Sequence, residues 1–325
     1  MRSVQAYQEL FSTHLSSLSF EKEPIRLYDP ISYILQLGGK RIRPVLTLMA
    51  CEAAGKEPIS ALGAATSVEL FHNFTLLHDD IMDEATLRRG QKTVHKKWDI
   101  NTGILSGDAL LVMAYQQLNS YDHTLFSELT KLLSETALLV CEGQQQDVDF
   151  ETRDNVSMDE YIHMIRLKTA VLLGCALRMG ALAGQASADI GNCLYDFGVN
   201  LGIAFQLKDD LLDAFGDSKN FGKAVGGDII ENKKTILYHL TRAHATAKDW
   251  ADLEQLMSLP PLKDEEQKIK DVKAIYESAD AHRRTTEHVM NYTKKALNAL
   301  NQSSLADNQI TYFTAFAEEL IVRTK

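Results

Sequence analysis

The 325-residue chain is poor in the residues that staple or interrupt a fold. Its four cysteines, Cys51, Cys141, Cys175 and Cys193, are widely spaced and form no CxxC pair, which argues against a disulfide framework or a zinc ribbon. Proline (6) and glycine (18) are sparse, so helices meet few breakers. No run of about 18 apolar residues occurs. The longest candidate, Ala170 to Gly184, is interrupted by Arg178, so no stable membrane insertion is expected. The opening stretch MRSVQAYQELFSTHL lacks the apolar core of a secretory signal, and a cytoplasmic location with free thiols is expected. Convincing period-two alternation is absent, which excludes a sheet-based fold. The net charge of −10 argues against nonspecific binding to nucleic acid or anionic membranes. It leaves room for a small anionic substrate, because a local basic cluster can dominate one pocket.

What is present is helix. Apolar residues recur at three- and four-residue spacing over 30–54, 60–86, 105–119, 124–149, 157–185, 188–215, 231–245 and 263–300. Several stretches, such as 104–114 and 170–183, are apolar on most faces, the pattern of helices in the middle of a large bundle. The breaks at Gly38-Gly39, 88–103, 216–227 and Pro260-Pro261 are short, and apolar patterning resumes after each. An all-α bundle in one domain, residues 1–325, is the expected architecture.

One short motif occurs twice. Residues 79–83 read Asp79-Asp80-Ile81-Met82-Asp83, and residues 209–213 read Asp209-Asp210-Leu211-Leu212-Asp213. Positions i and i+4 of a helix share a face, so Asp79 stands over Asp83 and Asp209 over Asp213. Like charges at that spacing repel. A solvated acidic face is the plain alternative, but FTLLHDD and IAFQLKDD are not solvated contexts. A bound divalent cation removes the repulsion, and magnesium suits hard oxygen ligands shared with phosphate.

A phosphate substrate calls for cations. Lys40, Arg41 and Arg43 follow Gly38-Gly39; Arg88 and Arg89 follow the first motif; Lys223, Lys233 and Lys234 follow the second. Arginine presents a planar fork to phosphate oxygens and lysine a point charge. Lys168 is set apart by its apolar neighbours Ile165, Leu167, Val171 and Leu172. Arg41 is the odd member of its run, because Lys40 and Arg43 share a helix face.

At this point the chain resembles the trans-prenyl diphosphate synthases. The segments GGKRIRP (38–44), LLHDDIMDEATLRRG (76–90), GQQQD (143–147), KT (168–169), FQLKDD (205–210) and GKAVGGDIIENKKT (222–235) match in order. The resemblance implies an isoprenoid synthase-like antiparallel bundle around a deep central cavity, and a homodimer. It implies condensation of isopentenyl diphosphate with dimethylallyl, geranyl or farnesyl diphosphate, helped by Mg2+, three ions with substrate bound. Asp79 and Asp83 would bind ions that bridge the allylic diphosphate, and Asp209 a further ion. Asp80, Asp210 and Asp213 complete the metal-binding set. Arg88, Lys168 and Lys233 would grip the allylic diphosphate, with Lys223 nearby. Lys40, Arg43, His72 and Arg89 would hold isopentenyl diphosphate. Thr169 and Gln206 would face the allylic cation. His78 and His95 receive no role. Lys223 and Lys233 lie one residue further apart than in some farnesyl-type members.

Chain length is a matter of depth. A residue five before Asp79 stands about 7.5 Å up the helix axis. That residue is Phe74, followed by Thr75. In the family, an aromatic here resembles short-chain enzymes, and two adjacent aromatics resemble C15 makers, so C20 is expected, then C15. Longer-chain synthases, terpene cyclases and non-catalytic partner subunits are the alternatives. Cyclases usually lack the second DDxxD, and partner subunits lose the aspartates retained here.

Overall fold

The computed structural model describes residues 1–216, 226–258 and 265–322. Its long elements are all helices: α1 (Val4–Ser17), α2 (Ile25–Gln36), α3 (Ile42–Ala53), α4 (Leu62–Met82), α5 (Val94–Lys97), α6 (Ile100–Gln116), α7 (His123–Thr152), α8 (Met158–Ile165), α9 (Val171–Ala183), α10 (Ala188–Phe215), α11 (Gly227–Ile230), α12 (Ile236–His244), α13 (Ala247–Ser258), α14 (Glu265–Ser278), α15 (Ala281–Asn301) and α16 (Asp307–Val322). The strands β1 (Leu87–Arg88) and β2 (Gln91–Lys92) pair antiparallel. The fold is all-α. Among the described residues, no helix is long and apolar enough to cross a membrane.

The chain divides into two compact units. The first comprises residues 1–136, 172–195 and 303–309, the second residues 137–171, 196–302 and 310–325. In the first unit α4 packs against α3 and α6, and α2 against α6. Residues 64–71 of α4 are buried on every side, the polar Thr66, Ser67 and Glu69 included. Leu70 and Phe71 are wholly enclosed, each contributing about 1.5–3 kcal/mol by leaving water. Asp99 starts α6 by accepting the Thr102 N–H at 2.8 Å.

In the second unit α12 packs on α14, α15 and α8. Phe197 and Phe313 meet there at 5.7 Å, and Tyr276 is wholly buried. Ser157 and Glu160 close a capping box that starts α8.

Three stretches read as single helices are broken. The 30–54 stretch parts where Gly38, Gly39 and Arg41 take positive φ, and 263–300 parts at Asp280, φ 56°. The 157–185 stretch contains a π-turn, Arg166–Ala170, between α8 and α9. Helices α1, α5, α11, α13 and α16 lie outside the predicted ranges.

Candidate active site

In the first unit, the first aspartate motif ends α4. Asp83 is its C-cap, and the Asp83 N–H donates to the Asp79 carbonyl at 2.9 Å. A helix C-terminus carries partial negative charge, so three carboxylates there oppose the macrodipole as well as one another. Arg88 answers part of this charge. Its Nε donates to both Asp80 oxygens, at 2.9 and 2.8 Å, its Nη2 lies 2.8 Å from Asp80 Oδ1, and Asp79 Oδ2 stands 3.7 Å away. Burial raises the Asp80 pKa against the pull of Arg88. Asp80 is thus a buried anchor, while Asp79 and Asp83 are half-buried.

The hairpin delivers the arginines. Arg89 and Gly90 form its turn with φ of 53° and 74°, both positive as a type I′ turn requires. Arg88 on β1 reaches Asp80, and Arg89 donates to the Gly38 carbonyl. This brings Arg89 to the loop that bears Lys40.

Arg41 points elsewhere. Its guanidinium donates to the buried Glu69 carboxylate and to the Leu35 carbonyl, and Asn73 Nδ2 donates to Glu69 Oε1 at 3.1 Å. It fixes α3 to α4. Arg43 Nη1 lies 3.1 Å from His72 Nε2, so the imidazole accepts there and is neutral. Burial, then the charge of Arg43 and Arg89, hold the His72 pKa well below its ordinary value.

Phe74 and Thr75 are half-buried on α4, ahead of Asp79. Thr75 Oγ1 donates to the His72 carbonyl at 2.8 Å.

In the second unit, a cavity of about 120 Å³ is lined by Asp147, Tyr161, Lys168, Thr169, Gln206, Asp210, Asp228 and Lys233, among others. The π-turn presents Lys168 and Thr169 to it, and such wide turns commonly mark functional positions. Gly143 on α7 permits the close approach, because a methyl at that position would lie 2.8 Å from the Leu167 carbonyl carbon. Lys168 Nζ pairs with Asp147 Oδ2 at 2.6 Å.

A polar chain crosses the cavity wall. Thr169 Oγ1 donates to Gln206 Oε1 at 3.2 Å, and Gln206 Nε2 donates to Asp210 Oδ1 at 3.0 Å. The buried Tyr161 hydroxyl donates to Asp210 Oδ2. Burial pushes Asp210 up to about 6 even so. Burial, with Asp213 and Asp210 close by, raises Asp228 well above the carboxylate range. Asp213 Oδ2 accepts the Asp228 N–H at 3.0 Å. Asp210 and Asp213 are therefore engaged by protein donors, and Asp209 is half-buried.

The two lysines of the 231–235 segment differ. Lys234 Nζ donates to the Phe150 and Arg153 carbonyls, both at 2.9 Å, and so caps the end of α7. Lys233 lines the cavity and pairs with Glu231 at 2.8 Å. Lys223 lies outside the described residues.

Sequence reasoning gave no role to Asp147, Tyr161 or Asp228. Asp147 closes the matched GQQQD segment and Asp228 lies within the last matched segment, so both had a signal. Tyr161 had none.

The donor chemistry fits a divalent cation. Each motif places hard carboxylate oxygens at the negative end of a long helix, where added positive charge relieves both repulsion and dipole. No group of three or more His, Cys, Asp or Glu positioned to hold a metal unaided occurs among the described residues. Magnesium held through one or two carboxylates and substrate phosphate needs none. Asp79, Asp83 and Asp209 are the residues that could hold it.

Acidic helix ends, facing cations and an all-helical frame define a class, the helical enzymes of diphosphate chemistry. The chain belongs to the polyprenyl synthetase family, whose profile matches residues 24–279, and it is a prenyltransferase. A solved geranylgeranyl pyrophosphate synthase is similar over 100% of both chains, with 48% identity and a TM-score of 0.96. A geranylgeranyl pyrophosphate synthase of Geoglobus acetivorans is 35% identical over 97% of this chain and 96% of its own. A geranylfarnesyl diphosphate synthase of Natronomonas pharaonis is 37% identical over 72% of this chain and 74% of its own.

Proposed function

We propose that the protein condenses isopentenyl diphosphate with an allylic diphosphate, assisted by Mg2+, and releases the C20 product geranylgeranyl diphosphate. The observation that carries the product length is Phe74, an aromatic five residues before Asp79, followed by the small Thr75. Two relatives named for a C20 product support it.

Asp79 and Asp83 in one motif and Asp209 in the other are assigned to the cations. Asp80, Asp210 and Asp213 hold those motifs in place through Arg88, Tyr161, Gln206 and the Asp228 N–H. When bound, Mg2+ offsets the negative charge that grows on the departing diphosphate. Arg88, Lys168 and Lys233 grip the allylic diphosphate, and Lys223 is assigned beside them. Lys40, Arg43, His72 and Arg89 take isopentenyl diphosphate; a neutral His72, whose Nε2 accepts from Arg43, keeps an N–H on Nδ1 to donate without adding charge. Thr169 and Gln206 turn oxygen dipoles toward the allylic carbon as it becomes cationic. The double bond of isopentenyl diphosphate attacks that carbon, and the departing diphosphate takes the proton. Apolar walls keep out the water that would quench the cation.

The reading treats residues 1–325 as one synthase domain in a cytoplasmic homodimer; exposed Leu105 and Val112 of α6 offer apolar surface for the latter. Extension of labelled isopentenyl diphosphate on a farnesyl primer tests the product. A single C20 alcohol after dephosphorylation is expected. A dominant C15 product from a geranyl primer, or C25 and beyond, overturns the chain-length assignment.

A further inference from the structure

His78 stands between Asp79 and the apolar part of α4 and has no role in the mechanism above. Its imidazole meets the Phe74 ring edge to face, with centroids 4.8 Å apart and planes at 66°. On its other side Phe74 meets the wholly buried Phe71 at 5.6 Å. Residues 71, 74 and 78 form one stripe of α4.

The imidazole is fixed from the neighbouring helix. His78 Nε2 lies 3.1 Å from the Ile104 carbonyl oxygen of α6, so Nε2 carries the proton and donates it. The partner is a backbone atom and does not depend on the side chain at 104. Asp108 Oδ1 lies 3.9 Å from the same nitrogen. Gly107 makes the room for the ring: a methyl there would fall 2.5 Å from His78 Cδ2, and closer still to Nε2. The Phe74 ring is therefore held between one enclosed aromatic and one ring seated in a notch of α6. Without the second ring, Phe74 can turn about χ1 to another staggered position.

We propose that His78, seated in the Gly107 notch and tied to the Ile104 carbonyl, is the positioning residue that holds the Phe74 ring across the path of the growing chain and so sets product length. This rests on the reading that Phe74 is the floor of that path. His78 does its work through Phe74 and need not touch the product.

The test is the product distribution of wild type, F74A, H78A and the F74A/H78A double variant, each checked for a cooperative melt. F74A is expected to give products longer than C20. H78A is expected to raise the ratio of longer products to C20 severalfold. The double variant is expected to match F74A, because a residue that acts only through Phe74 has nothing left to act on. G107A, which displaces the imidazole from the α6 side, is expected to lengthen products as H78A does. Should H78A fail to fold, H78Q takes its place: it keeps a donor for the carbonyl and loses the ring. A wild-type distribution from the His78 variant, beside a lengthened one from F74A, overturns the proposal. So does a double variant that exceeds F74A, since His78 would then line the path itself. A wild-type distribution from F74A sinks the floor reading, and the proposal with it.

Discussion

At the scale of single residues, the site is built from charges that the protein has already arranged around one another. The Asp80–Arg88 pair is the clearest case, with a buried carboxylate held on both oxygens. Removing one partner of such a pair leaves the other desolvated and uncompensated. Asp80→Ala is expected to lower stability by about 3 kcal/mol, read by thermal or denaturant unfolding; a loss within experimental scatter of zero would show that the pair is not buried as described. Asp79→Ala leaves the closer Asp80–Arg88 pair in place and should instead reduce kcat by about 100-fold or more, with a smaller change in the melt than Asp80→Ala. The motif residues were legible in the sequence because their types and spacing carry chemistry. Tyr161 was not legible. It is 49 residues from Asp210, and no local pattern announces that its hydroxyl points at that carboxylate. Lys233 and Lys234 were separable only once Lys234 was seen to close the end of α7.

At the scale of elements, the π-turn is the departure from regular helix that matters most. The 157–185 stretch reads as one helix because apolar spacing survives a single extra residue. What betrays the turn is the partner, Gly143, whose significance appears only when α7 lies against Leu167 and Lys168. Gly143→Ala should displace the turn, lowering kcat more than it raises KM, while steady-state kinetics and circular dichroism confirm a folded enzyme. An unchanged kcat would mean that the turn tolerates the methyl and does not position Lys168. Helix α12 supplies a pH signature. His239, buried between Tyr161 and Tyr238, is held at about 4, chiefly by burial. An unfolded histidine titrates near 6.5. Between those values the unfolded chain binds a proton that the folded one does not, so stability falls as pH drops from about 6.5 to about 4. The loss is up to about 3 kcal/mol, from roughly 1.4 kcal/mol per pH unit. His239→Gln should flatten that part of the stability–pH curve, and an unaltered slope would assign the effect to other groups.

At the scale of the molecule, the all-helical frame followed from periodicity, and the family from six ordered segments. Helix boundaries were harder to read. Positive φ at Gly38, Gly39 and Arg41 is foreshadowed by the glycine pair, whereas Asp280 adopts the same region with no glycine to mark the break between α14 and α15. Helix α1 buries only Tyr7 and Phe11, too few apolar residues to print a stripe. Each compact unit carries one aspartate motif with its own cations, and catalysis is assigned to both. The most direct measurement is transfer of label from isopentenyl diphosphate to farnesyl diphosphate, run with Mg2+, with the metal chelated, and with Asp79→Ala and Asp209→Ala. The account predicts a C20 product that vanishes on chelation and falls steeply in both variants. No condensation with any allylic primer from C5 to C20, or turnover indifferent to the metal and to both aspartates, would contradict it.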